Sequence, residues 1–73
     1  MKYQQRIKDL RNDNDLTQAQ IAQVLRTTQT NYSDYERGIH ELPISHLITL
    51  CKIYNVSADY ILGLPYGMPY PKR

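Results

Sequence analysis

The chain has 73 residues, enough for one small domain, with nine Lys/Arg against seven Asp/Glu for a net charge of +2, and a single cysteine. A chain this short buries only about 60% of the surface its unfolded form exposes, which argues against a deep enzyme pocket. One cysteine excludes a disulfide framework or a cysteine-based metal cluster. The small positive charge admits a nucleic-acid partner without demanding one, and excludes a strongly basic coat.

Tyr3, Ile7 and Leu10 recur at helical spacing and predict an amphipathic helix over 2–12. The turn formers of "NDND" (12–15) end it. In "LTQAQIAQVL", Thr17 followed three residues later by Gln20 fits a capping box, so a second helix starts at Thr17 and runs to residue 25. Ile21, Ala22 and Leu25 form its inward stripe, and the small Ala22 lets a neighbouring helix come close. "RTT" (26–28) breaks the pattern. Thr28 then caps a third helix that runs to Arg37 and stops at Gly38. Tyr32 and Tyr35 share its inward phase, which assigns them to the core rather than to base stacking. Gln29, Thr30, Ser33, Asp34 and Arg37 project mainly outward.

After the loop "IHEL", Pro43 suits the first position of a fourth helix. Its apolar stripe is Leu47, Leu50, Cys51 and Tyr54, with Asn55 as a left-handed stop and Cys51 as a small buried hydrophobe. Ser57 caps a short last helix in "SADYILGL", where Tyr60, like Tyr54, suits the core or a dimer seam. Residues 1–64 read as the domain. Residues 65–73, "PYGMPYPKR", read as a loosely ordered Pro/Tyr-rich tail carrying Tyr66 and Tyr70. No stretch approaches the roughly 18 apolar residues of a membrane span, and no apolar run marks a signal peptide, so a cytoplasmic protein is expected. His40 and His46 have no ligand constellation around them, so neither metal nor cofactor is expected. No arrangement of Ser, His and Asp suggests a catalytic nucleophile, so no enzyme is expected either.

Five short helices predict an all-α bundle. Two of them, 17–25 and 28–37, are joined by a turn of two or three residues, the helix-turn-helix arrangement whose second helix can enter a major groove. The segments "LTQAQIAQVL", "TTQTNYSDYERG" and "LITLCKIYNVSADYILGL" together resemble the phage-repressor/Cro-type helix-turn-helix family, also called the XRE family. The resemblance covers residues 3–64. It implies a compact five-helix bundle of the lambda-repressor-like type and a bacterial or phage-encoded, nucleoid-associated regulator, a repressor that binds operator DNA as a dimer.

Carried over residue by residue, the resemblance makes Gln18 a phosphate contact and makes Gln29, Thr30 and Ser33 base readers, with Asp34 one turn beyond Thr30. It also makes Arg11 and Glu36 a structural ion pair clamping the first helix to the third. The chemistry suits these roles. Gln29 can pair bidentately with adenine N6/N7, and Thr30 and Ser33 can bond either kind of base edge. Thr28 at a helix N-terminus can hold a phosphate beside Gln18, and Arg26 and Arg37 supply charge for counterion release.

The sequence departs from the family pattern in three places. Arg26 stands where the turn usually carries glycine, the loop after Gly38 reads "IHE" where many relatives carry basic residues, and Asp34 occupies a position usually basic or amide. Asp34 admits two readings. It can accept a hydrogen bond from cytosine N4, or it can pair with Arg37 three residues on. The dimer surface is expected on the last helix and the residues just after it, at Tyr60, Ile61, Leu62 and Leu64. Control is expected through concentration, degradation or a regulatory protein partner. A protein-interaction module of the same fold with weak DNA binding is the rival reading.

Overall fold

The computed structural model describes residues 2–64. The tail 65–73, with Tyr66 and Tyr70, lies outside the described residues. Among the described residues five helices follow in order: α1 (Tyr3–Asp13), α2 (Gln18–Val24), α3 (Gln29–Arg37), α4 (Ile44–Tyr54) and α5 (Ala58–Leu62). The expected all-α bundle is therefore what forms. Helix α3 packs against α2 and α1, α1 also packs on α5, and α4 meets α5.

Side-chain caps start three of these helices. At α2 the capping box closes in both directions: Gln20 N–H donates to Thr17 Oγ1 (3.1 Å) and Thr17 N–H donates to Gln20 Oε1 (2.8 Å). Thr28 accepts from Asn31 N–H (3.0 Å) to start α3, and Ser57 accepts from Tyr60 N–H (3.2 Å) to start α5. Pro43 was expected inside α4 but stands one residue before it. Its carbonyl accepts the first helical bond, from Leu47 N–H at 3.0 Å, and the helix begins at Ile44.

All five helices end in one way. A residue with left-handed backbone follows the last turn: Asp15, Arg26, Gly38, Asn55 and Gly63, with φ between 56° and 77°. The amide of the next residue then reaches back five positions, as in Thr27 N–H to Ala22 O (2.9 Å) and Ile39 N–H to Asp34 O (2.9 Å), satisfying a carbonyl the helix leaves free. Only two of the five are glycines. A Cβ at Gly38 would meet Gln4 at an ordinary 3.7 Å, so its φ of 77°, not crowding, is what favours glycine there.

The core takes Ile7 and Leu10 from α1, Ile21, Ala22 and Leu25 from α2 and its end, Tyr32 and Tyr35 from α3, Leu50 from α4 and Ile61 from α5. The two α3 tyrosines meet edge to face, with centroids 6.2 Å apart. Leu47, Cys51 and Tyr54 pack against this core as the α4 stripe. Cys51 is only partly buried, though burial still pushes its thiol pKa up. Ile61 corrects the expected dimer surface. It is fully buried in its own chain because α5 turns it toward α1 and α4, which leaves Tyr60, Leu62 and Leu64 at 41–47% exposure. Tyr60 lies at the surface with the Arg6 guanidinium 4.5 Å from its ring centre. Among the described residues, no helix is long and apolar enough to cross a membrane.

Candidate nucleic-acid interface

The turn between α2 and α3 sets the geometry of the site. Arg26 adopts φ 58° and gives the chain its reversal. Asn31 then ties the turn down: its Nδ2 donates to Thr27 Oγ1 (2.7 Å) and to the Tyr35 hydroxyl (2.9 Å). With the turn fixed and Ala22 buried, α3 lies against α2 with its polar face outward. Gln18, Gln29, Thr30, Ser33, Asp34 and Arg37 line one open groove between the two helices. Six of the eight residues expected to touch DNA thus share one surface. Arg26 and Thr28 stand exposed in the adjoining turn. The Thr28 oxygen accepts the capping bond, so its hydroxyl proton remains free to donate outward.

Behind the groove sits a buried charge cluster. Arg11 Nε and Nη2 donate to Glu36 Oε2 (2.7 Å) and Oε1 (3.2 Å), a two-pronged bond that joins α1 to α3. Arg11 Nη1 also donates to Leu16 O (2.9 Å). The two side chains are 11% and 3% exposed, so this is an interior pair. Gln18 Nε2 donates to Glu36 Oε1 at 3.1 Å. The Tyr32 hydroxyl approaches the same carboxylate without completing a hydrogen bond. Burial pushes the Glu36 carboxyl up, but its bonds to Arg11 and Gln18, the nearby Tyr32 hydroxyl and the Arg11 charge outweigh that, and its pKa falls below the ordinary value. The bond to Glu36 raises the Arg11 pKa in turn, against the opposing effect of burial.

Asp34 is approached by two side chains, Arg37 and His40. Its Oδ1 lies 3.5 Å from Arg37 Nη1 and its Oδ2 lies 3.6 Å from His40 Nε2. Its side chain is 18% exposed, against 65% for Arg37. The surface-pair reading of Asp34 therefore has direct geometric support.

Sequence reasoning missed three of these interactions. Asn31 escapes it although it stands four positions from both Thr27 and Tyr35, a spacing that brings side chains together on a helix. The bond from Gln18 to Glu36 crosses from α2 to α3, and the approach of His40 to Asp34 depends on how the loop folds back past Gly38. Neither can be read from spacing. Among the described residues, no group of three or more His, Cys, Asp or Glu could hold a metal ion.

Comparison with known proteins agrees with this geometry. Residues 7–61 match the family described as helix-turn-helix. The chain is 39% identical over 62 residues to the uncharacterized HTH-type transcriptional regulator YobD of Bacillus subtilis (strain 168), a stretch covering 85% of this chain and 55% of that protein. It is 38% identical over 58 residues to the HTH-type transcriptional regulator ImmR of the same organism, covering 80% of this chain and 46% of that protein. The chain thus spans about half the length of the curated relatives it matches.

Proposed function

The chain belongs to the helix-turn-helix family, and from that premise we propose that it is a sequence-specific DNA-binding transcription regulator that presents α3 to the major groove. The observation that carries this reading is the groove itself, where Gln18, Gln29, Thr30, Ser33, Asp34 and Arg37 converge on one face. Gln29 and Thr30 are exposed at the start of α3, where a recognition helix meets base edges. Gln29 pairs with an adenine, Thr30 and Ser33 bond adjacent base edges, and Gln18, Thr28, Arg26 and Arg37 hold the backbone.

The finer reading is a repressor that docks as a homodimer on an inverted repeat, with recognition helices about 34 Å apart in successive major grooves. Tyr60, Leu62 and Leu64 supply the seam, which their exposure on and after α5 supports. Selection of bound fragments from a random-sequence duplex pool tests it, with affinity then measured at two salt concentrations. An enriched inverted repeat with adenine in each half-site, and affinity that falls steeply with salt, is the expected result.

A protein-interaction module is the second reading. It is favoured by the exposed Ile44 (75%) and Ile48 (51%), one turn apart on α4, and by the commitment of Arg37 to Asp34. No enriched sequence, with only weak, salt-sensitive binding to duplex, would decide for it.

A further inference from the structure

Gln18 stands at the first position of α2, where it lines the groove, yet its amide is bonded to a residue of the other helix. Glu36 is what it bonds. The carboxylate is nearly wholly buried, carries a lowered pKa and is held on both oxygens by Arg11. Held ionised in this way, it can only accept hydrogen bonds. The Gln18 side chain therefore has one favourable orientation, nitrogen inward and oxygen away. A carboxamide nitrogen carries two N–H donors about 120° apart. With one committed to Glu36, the other is left for the groove.

We infer that Glu36 is a positioning residue for DNA backbone contact: by fixing the Gln18 amide nitrogen inward, it presents the second N–H of Gln18 to a phosphate oxygen. This rests on the DNA-binding reading above. The arrangement has a consequence beyond one bond. Gln18 belongs to the helix that holds the backbone, and Glu36 belongs to the helix that reads bases. The bond between them locks the phosphate contact to the base-reading register, so that a duplex seated on Gln18 is also aligned with Gln29 and Thr30. Arg11 enters this relay only through Glu36.

The ion pair with Arg11 alone would give Glu36 a purely structural role, and a double-mutant cycle separates the two. The probe is a labelled 20-base-pair mixed-sequence duplex at low salt, because phosphate contacts do not require an operator. Gln18→Ala should weaken binding by roughly tenfold and leave the salt slope nearly unchanged, because a neutral amide displaces no counterion. Glu36→Gln should weaken it by a similar factor, because a neutral amide at position 36 lets Gln18 settle with either face inward. In the Gln18→Ala background, Glu36→Gln should cost little further affinity, while it still lowers stability in urea through the lost ion pair with Arg11. Affinity losses that simply add would overturn the inference and leave DNA binding intact. A wild-type protein with no salt-sensitive binding to the duplex would overturn both.

If Glu36→Gln does not fold, the side-chain amide resonances of Gln18 in the wild-type protein serve instead. One of the two Nε2 protons should exchange slowly in the free protein, and the other should shift when duplex is added. Two equivalent, rapidly exchanging protons would sink the inference.

Discussion

Arg37 Nη1 stands 3.5 Å from Asp34 Oδ1, one helical turn back on α3, and both line the groove proposed to meet DNA. The aspartate therefore does two opposing things. It holds the arginine at the groove, and it cancels part of the charge that would attract a polyanion. With His40 Nε2 at 3.6 Å on the other oxygen, it withholds a second basic side chain as well. Asp34→Ala should raise affinity for a mixed-sequence duplex several-fold at low salt, and the gain should shrink as the Debye length shortens toward about 8 Å at physiological ionic strength. Fluorescence anisotropy at two salt concentrations reads it. Unchanged affinity at both would make Asp34 a bystander.

Arg26 offers a clean separation of stability from binding. Its φ of 58° strains a residue with a Cβ, and the position is the one in the α2–α3 turn where glycine would be free of strain. Arg26→Gly should stabilise the fold by about 1 kcal/mol, the relief of strain less the added freedom of the unfolded chain. It should also weaken duplex binding and lower the salt slope by about one, through the lost guanidinium. Urea unfolding beside salt-dependent binding gives both numbers. A variant that gained stability with no loss of binding would remove Arg26 from the interface.

The Arg11–Glu36 pair should govern the acid limb of stability. The folded pKa of Glu36 is depressed, so its contribution is present above the unfolded value of about 4.3 and is lost as pH falls through the lower, folded one. Glu36→Gln should accordingly flatten the fall in stability below about pH 4.3 relative to the wild type. Arg11→Met should destabilise by about 3 kcal/mol at neutral pH, because it strands a buried carboxylate. Arg11→Met combined with Glu36→Leu should recover much of that loss. Urea midpoints between pH 3 and 7 would test all three, and an acid limb unchanged by Glu36→Gln would contradict the buried, paired state of this group.

These cases also mark how far the sequence reaches. Caps and helix ends are legible because they depend on residues within five positions of one another: Thr17 with Gln20, Thr28 with Asn31, Arg26 with Ala22 through Thr27. Burial phase is legible for α3, where Tyr32 and Tyr35 point inward and Gln29 and Thr30 outward. It fails for the five-residue α5, which is too short for a periodic stripe to fix which side faces α1 and α4. Ile61 and Tyr60 could not be told apart there, yet one is fully buried and the other 47% exposed. The candidate groove was legible as a set of outward residues. The bond that connects its two helices, Gln18 to Glu36, was not, because it joins positions 18 residues apart that only packing brings together.

Tyr54 completes the interior and carries its own test. Its hydroxyl is buried with no hydrogen-bond partner among the described residues, and burial, aided by the nearby Glu36 charge and opposed by Arg11, pushes its pKa up to about 12 from the ordinary 10. Tyr54→Phe should therefore be neutral or stabilise by about 1 kcal/mol at pH 7, since it removes a buried polar group that bonds to nothing. At high pH the difference between wild type and variant widens. A phenol whose folded pKa is raised favours the native state fully below pH 10, and that advantage is lost as pH climbs from 10 toward 12. Tyr54→Phe should thus lose stability less steeply across that interval. Tyr32, whose pKa burial raises further still, keeps part of the alkaline limb in place in the variant. Urea midpoints at pH 7, 10 and 11 measure the effect, with phenolate absorbance as the titration readout. A Tyr54→Phe protein clearly less stable at pH 7 would mean that the hydroxyl has a partner after all.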